Sequence, residues 1–447
     1  MVLSLCRGRL LLAALTLLAD VHALAESPPS EIRLSRSAYR ERLAGFWLGQ
    51  TIANWTGLVT ENKRTDAPFF TDADWGGYAT WERGASTEGA PRIELVLVGR
   101  GKPWGADDDT DIEYMYQHLV EHSPTLVLSP EQIRAGWLKH IYSNDDAPIP
   151  PGGQQRENFL WVSNESAYDL MRVDGMLPPE TSEPANNPNY DQIDAQLTTE
   201  MFGLLAPGRP DVALRLGHLP VRTTAKDDAE WIAKFYIEMH SIIANSDPAK
   251  PLGPRMRAAA EQARRRLPQG SYAAAMYDFV KESYDANPDH ENWELTRDAV
   301  YERYQLAASD GYKYRNPWDA GINFASSLIS LFYGDGDYLR TIQIGSLAGW
   351  DSDNPTATWG GLIGFAIGPD GIARAVGRSD LSGSYWIHRT RRAFPDQTPD
   401  VEGEDTFPQM AERGVSIVDR VVVELAGGAI DQATDEWRIP TYAERLP

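Results

Sequence analysis

The 447-residue chain has a single cysteine, Cys6, close to its start. The rest of the chain therefore has no disulfide framework and no thiol chemistry. Beyond the first segment, no apolar run reaches the ~18 residues that a membrane helix needs. Positive charge is scarce: 42 Lys and Arg stand against 64 Asp and Glu, a net charge of −22. That balance excludes nucleic acid and anionic membrane as partners. Internal repeats and a βαβ rhythm are both missing, which excludes solenoids and doubly wound sheets. His118, His122, His218 and His240 lie on helices or their edges, and none has metal-ligand spacing.

What is present begins with an export signal. Arg7 and Arg9 precede an apolar stretch, Leu10 to Leu18, and Ala23-Leu24-Ala25 is a small-x-small cleavage site. The expectation is a signal peptide over 1–25 and a protein exported to the periplasm or secreted after cleavage near Ala25. Membrane association ends with that signal. Cys6 precedes the apolar stretch, so this is not a lipoprotein signal. About 420 mature residues can bury a large core, read here as a single domain over 26–447.

The rest reads as mainly α. The pattern predicts helices over 39–56, from 107 onward, at 191–205, 211–217, 227–245, 254–266, 271–284, 293–308, 320–333 and 337–348, and near 407–426. Ile93 to Val98 suits a short strand. Residues 144–190, rich in Pro, Asn and Gly, read as a long loop, a lid or substrate wall.

The chain is organised around Gly345 to Gly368. Asp351 and Asp353 stand just before an apolar run, Thr356 to Ile367. Asn354 or Asp353 would cap a helix there, with Pro355 in its first turn. Gly360, Gly364 and Gly368 form one bare face, suited to close backbone packing. A second acidic cluster, Asp107-Asp108-Asp109, opens the helix whose apolar positions are Ile112, Met115, Tyr116 and Leu119. Carboxylates at the mouth of buried helices are costly unless paired or bound to a cation. The competing reading is a capped helix with solvated acids. If the two helix starts meet, up to five carboxylates converge and demand protons or metal. Oxygen ligands select Mg, Mn or Ca. Neither segment is a calcium loop, because the twelfth positions are His118 and Leu362 rather than Glu.

On these motifs the chain resembles the ADP-ribosylglycohydrolase family, known also for the dinitrogenase-reductase-activating glycohydrolase. Three ordered motifs carry the likeness. A Gly-rich helix ends in a loop glutamate, Gly45 to Glu61. Asp107-Asp108-Asp109-Thr110 precedes a helix. Asp351-Ser352-Asp353-Asn354 precedes a Gly-rich helix. Gly321-Ile322-Asn323 through Asp337-Tyr338 also looks like the family, and the likeness runs from about 40 to 368, with C-terminal loops and a helix over 369–447.

The resemblance implies an all-α fold, a compact multi-helix bundle with long loops around a metal cleft. It implies two divalent cations, Mg or Mn. Asp107, Asp108 and Asp109 would supply one set of ligands, and Asp351, Asp353 and Asn354 the other. Glu61 would be the catalytic acid/base or water-positioning residue. Asp194, Trp104 and Asn323 are expected to bind substrate. The activity implied is hydrolysis of an N- or O-glycosidic bond in an ADP-ribosylated substrate or a related glycoside or nucleoside. The alternative is a non-catalytic relative serving as a binding or structural protein.

Two departures bear on the substrate, a small molecule or glycosylated partner. Asp107 replaces the usual Thr of the second motif. The family's Gly-x-Gly segment and following Met-Arg fall on Gln192, Asp194 and Thr198, and its downstream Thr-His on Thr224-Ala225. Asp194 and Glu200 would repel a diphosphate there. The expectation is weak ADP-ribose binding and better binding of uncharged glycosides or nucleosides. Trp55, Trp75, Trp104, Trp161 and Trp350 are candidate sugar-stacking residues. The sequon Asn54-Trp55-Thr56 reads as chance. Asn164-Glu165-Ser166 matters only in a eukaryotic secretory path.

Overall fold

Two glycine-lined helices cross at the centre of the molecule in this computed structural model. It describes residues 31–441 except 81–85, 106, 150–152, 388–390 and 400–402. The expected signal at 1–25, with Cys6, lies outside the described residues. Helix α1 (Arg36–Gly57) and helix α14 (Asp353–Val376) run antiparallel. A Cβ built on Gly45 would lie 2.3 Å from the Gly364 carbonyl oxygen, and one on Gly49 would lie 2.4 Å from that of Gly360. Farther along, Gly57 abuts the Asp353 backbone. Backbone touches backbone here, so these glycines fix where α14 begins relative to the end of α1. Gly368 is different: its φ of 68° kinks α14 where Pro369 follows.

Around this pair the fold is all-α. In chain order the helices between them are α2 (Asp108–His122), α3 (Pro130–His140), α4 (Val162–Val173), α5 (Ala195–Thr199), α6 (Met201–Leu204) and α7 (Pro210–Thr224). Then come α8 (Asp228–Ala244), α9 (Leu252–Arg264), α10 (Tyr272–Ala286), α11 (Glu294–Val300), α12 (Ala320–Gly334) and α13 (Tyr338–Ala348). Helix α15 (Phe407–Glu424) covers the outer side of α1. The core runs through α1, α14, α8 and α12, where Phe46, Ile52, Tyr236, Phe324 and Trp359 are fully buried. Strand β1 (Glu31–Ser35) pairs antiparallel with β5 (Glu436–Pro440), which also pairs with β4 (Ala429–Asp431). A two-residue ladder joins β2 (Ser384–Tyr385) to β3 (Asp405–Thr406). No helix of the described residues is long and apolar enough to cross a membrane.

Several local expectations are corrected. Ile93 to Val98 is not a strand. The Ile93 N–H donates to Gly77 and the Val96 N–H to the Thr56 hydroxyl, so the segment is pinned to its surroundings without a partner strand. Helix 191–205 breaks into α5 and α6, and helix 211–217 continues through Pro220 to Thr224. The expected loop 144–190 contains α4, and α3 precedes it. Neither Asp353 nor Asn354 caps α14: Ser352 holds the cap position, without a side-chain bond. The acids are thereby left free to face the cleft.

Candidate active site

Three chain segments meet at the mouth of the α1–α14 pair. After α1 the chain turns at once, and a small backbone ladder holds the turn. The Asn62 N–H donates to the Trp350 carbonyl at 2.9 Å, and the Trp350 N–H donates to the Arg64 carbonyl at 3.0 Å. Asn62 and Trp350 both take positive φ, 56° and 57°. This ladder sets Glu61 beside Asp351 and Asp353. Ser352 donates its hydroxyl to the Gly57 carbonyl at 3.0 Å, locking the two segments from below. From the third side, α2 delivers Asp107 to Asp109. The Thr110 N–H donates to Asp107 Oδ1 at 2.9 Å, so Asp107 is the helix cap.

The result is a cavity of about 410 Å³ lined by seven carboxylates: Glu61, Asp107, Asp108, Asp109, Asp194, Asp351 and Asp353. Among the described residues no lysine or arginine lines it. Six of the seven fall into two groups of three, and Asp107 is in neither. Glu61, Asp351 and Asp353 bring oxygens within 4.8 Å of one another, and so do Asp108, Asp109 and Asp194. The acidic segments expected to converge do converge, but the partition differs from the expected ligand sets. Glu61 joins the Asp351 group, and Asp194 joins Asp108 and Asp109.

Amides bind the groups together. Asn354 donates to Asp109 Oδ2 at 2.8 Å and accepts from Gln196 at 3.2 Å, so it positions Asp109 and its own oxygen is engaged. Asn164 on α4 donates to both Asp108 Oδ2 (3.0 Å) and Asp109 Oδ1 (3.1 Å). Asn54 donates to Asp353 Oδ2 at 3.2 Å. Ser163 donates its N–H to Asp194 Oδ2 at 2.8 Å, and its hydroxyl bonds the same oxygen. Both sequon asparagines are therefore buried site residues, closed to glycosylation. Sequence reasoning missed Asn164 because α4 itself was not legible.

Two expected substrate residues lie elsewhere. Trp104 is fully buried, and its indole N–H donates to the Ser382 carbonyl. Asn323 donates to the Pro317 and Asp319 carbonyls and accepts from the Asp351 N–H at 3.2 Å. It holds the Asp351 backbone and does not line the cavity. Glu200, expected to face a phosphate, is in the core against Gln50 and His240. Of the expected tryptophans, Trp55 and Trp161 line the cavity, joined by Phe159 and Trp318, which sequence reasoning passed over. Phe159 and Val162 carry positive φ, 52° and 44°. For a β-branched residue such as Val162 this is a strained backbone.

The electrostatics follow from burial. Asp108 is pushed up to about 7, first by desolvation, then by Asp107 and Asp194, with Arg391 opposing. Arg391 is buried behind the cluster and donates to the Asp108 carbonyl at 3.0 Å. Glu61 rises to about 7 through burial and Asp107, and Lys63 and Trp318 pull it back only in part. Asp194 rises to about 6 through burial. Asp109, Asp351 and Asp353 are held well above the usual range, first by burial and then by the nearest carboxylates: Asp108 and Asp194 for Asp109, Asp353 and Glu61 for Asp351, Glu61 and Asp107 for Asp353.

A raised folded pKa means the folded state binds the proton more tightly. Its stability is then greatest below the unfolded value near 4 and is lost as pH rises through the folded value. Metal-free protein is accordingly expected to melt at progressively lower temperature between about pH 5 and pH 8. Calorimetry in chelator across that range tests this; a flat or rising melting temperature would contradict it.

A divalent cation fits these residues. The donors are all hard oxygens, and two buried ones, Asp107 Oδ2 and Asp353 Oδ1, have no hydrogen-bond partner. Asn164→Ala is expected to leave the fold intact and weaken manganese binding by roughly 10- to 100-fold, as loss of groups that orient ligands does. Calorimetric titration reads it.

The histidines also depart from expectation. His118 and His122 are one helical turn apart on α2, and with Glu121 they place donor atoms within 4.8 Å of one another. An i, i+4 pair shares a helix face, a spacing the sequence already contained. His240 is buried in the core, and neither it nor His218 joins such a group among the described residues.

An all-α fold closing over an acidic, oxygen-lined cleft defines the class of protein. The family model for ADP-ribosylglycohydrolases matches residues 35–403, and the chain belongs to that family. The match extends beyond the motif span of 40–368. A solved structure described as an ADP-ribosylglycohydrolase-related protein complex is similar at 14% identity and a TM-score of 0.44, over 86% of this chain and 98% of that one. No curated protein matches the chain. Membership brings glycohydrolase-type activity in general, and the acidic groups are able to hold metal.

Proposed function

We propose that this protein is an exported, dinuclear-metal-dependent hydrolase that cleaves an N- or O-glycosidic bond. The observation that carries the reading is the pair of three-carboxylate groups facing one cavity with aromatic walls. Glu61, Asp351 and Asp353 would hold one ion, and Asp108, Asp109 and Asp194 the other, Mg or Mn. When bound, such ions supply charge stabilisation and lower the pKa of a bound water. As an ion ligand Glu61 would be ionised, and its role would be to position the bound water. Trp55, Trp161 and Trp318 offer ring faces on which a sugar or base can stack. Export rests on the N-terminal charge pattern.

For the substrate we favour an uncharged glycoside or nucleoside over ADP-ribose. A diphosphate needs N–H groups, Arg or Lys to replace its water. Among the described residues no Lys or Arg lines the cavity to take one. The test is a hydrolysis screen with manganese against ADP-ribosyl peptides, nucleosides and neutral glycosides. Turnover of an uncharged substrate supports this choice; turnover of ADP-ribosyl peptides alone overturns it. Metal binding without turnover of any of them would favour a binding protein.

A further inference from the structure

The opposite end of α2 carries a second cluster that the acidic cleft does not use. Asp108 and His118 are ten residues apart, about 15 Å along a helix. In the last turn, His118, Glu121 and His122 form a His-x-x-Glu-His sequence with donor atoms within 4.8 Å of one another. Helices holding zinc use two histidines one turn apart, and this residue order is one such arrangement. The two imidazole rings lie 4.2 Å apart between centroids.

The tautomer of His122 follows from its partner. Its Nδ1 lies 2.9 Å from the His118 carbonyl, which can only accept, so Nδ1 carries the proton. Nδ1 also lies 3.7 Å from Glu121 Oε2, so the ring must turn for the free Nε2 lone pair to reach an ion shared with Glu121. Glu121 Oε2 is buried and makes no hydrogen bond. The cation nearest to it is Arg413, with Nε at 3.6 Å, and Arg413 is paired with Asp405. Phe394 walls the cluster, with its ring 5.2 Å from that of His118 and stacked on His140 at 4.4 Å.

We propose that His118, Glu121 and His122 form a binding site for a zinc-class transition ion, separate from the Mg/Mn cleft. Imidazole nitrogens with one carboxylate suit Zn over Mg, whose ligands are oxygens. A water completes the tetrahedron. Donors around one zinc lie closer together than 4.8 Å, so the side chains must close by about 1 Å. His122, with its side chain 59% exposed, is free to make that movement. The bound ion stabilises the folded chain by mass action.

The test uses tag-free protein stripped with chelator, then dialysed against zinc in millimolar magnesium, with zinc counted by elemental analysis. One zinc per chain and a raised melting temperature are expected. His122→Ala should lose both, and because this side chain is exposed the variant should fold. His118→Gln should lose them as well, and Asp351→Asn should keep them. Three results would overturn the site: no retained zinc, zinc retained by both histidine variants, or zinc lost in Asp351→Asn, which would place the ion in the cleft.

Discussion

Asp353→Asn is expected to reduce kcat/KM about a thousandfold while raising the melting temperature of the metal-free protein. The two effects share one cause. Asp353 stands in a group of three carboxylates, buried, with Oδ1 unpartnered and Oδ2 accepting from Asn54. Asparagine has the same shape and keeps an acceptor for Asn54, so the packing beneath α14 persists. At a pH high enough to ionise Asp353, which burial and Glu61 hold well above the usual carboxylate range, it removes one negative charge from the cluster. Without metal, that relieves repulsion by ~1 kcal/mol, as like-charge contacts in a partly screened cleft do. With metal, a charged ligand is missing, and a loss of ~4 kcal/mol in transition-state stabilisation corresponds to the thousandfold fall. Steady-state kinetics and calorimetry read the two signs. A variant that loses activity and stability together would point to a structural role for Asp353.

The second large effect is expected where backbone meets backbone. Gly49→Ala should destabilise the fold by about 3 kcal/mol or more, because its methyl meets backbone rather than a side chain that could move. The added Cβ would lie 2.4 Å from the Gly360 carbonyl oxygen. Relief requires α14 to shift away from α1, and the start of α14 carries Asp353. The variant should therefore also weaken manganese binding. Gly101→Ala is the contrast: φ is +86° and nothing lies within 4 Å, so it costs only the left-handed strain, about 1 kcal/mol. Urea unfolding of the two variants separates close packing from strain. Equal losses would contradict the packing argument.

The sequence was most readable where charge and pattern coincide. Two acidic segments opening helices, and a glutamate just after a Gly-rich helix, have few stable solutions other than convergence. The glycines at 360 and 364 announced a backbone contact that the structure places against Gly49 and Gly45. Reading failed where a polar residue serves the backbone rather than the cleft. Asn323, 28 residues before Asp351, is consumed by carbonyls and by the Asp351 N–H. Trp104 lies close to the second acidic segment but buries its ring and its N–H. Asp194 was expected to bind substrate. Its grouping with Asp108 and Asp109 depends on α4 and α5 packing around α2, a long-range contact with no local signature. Helix α4 escaped notice because its N-cap residue, Trp161, makes no side-chain capping bond and the surrounding stretch is full of turn-forming residues.

The carboxylate cleft is expected to hold two ions, and anomalous scattering from crystals grown with manganese would count them in place. Two anomalous peaks are expected. One would lie among Glu61, Asp351 and Asp353, the other among Asp108, Asp109 and Asp194. An empty cleft in crystals soaked in millimolar manganese would contradict the two-ion site.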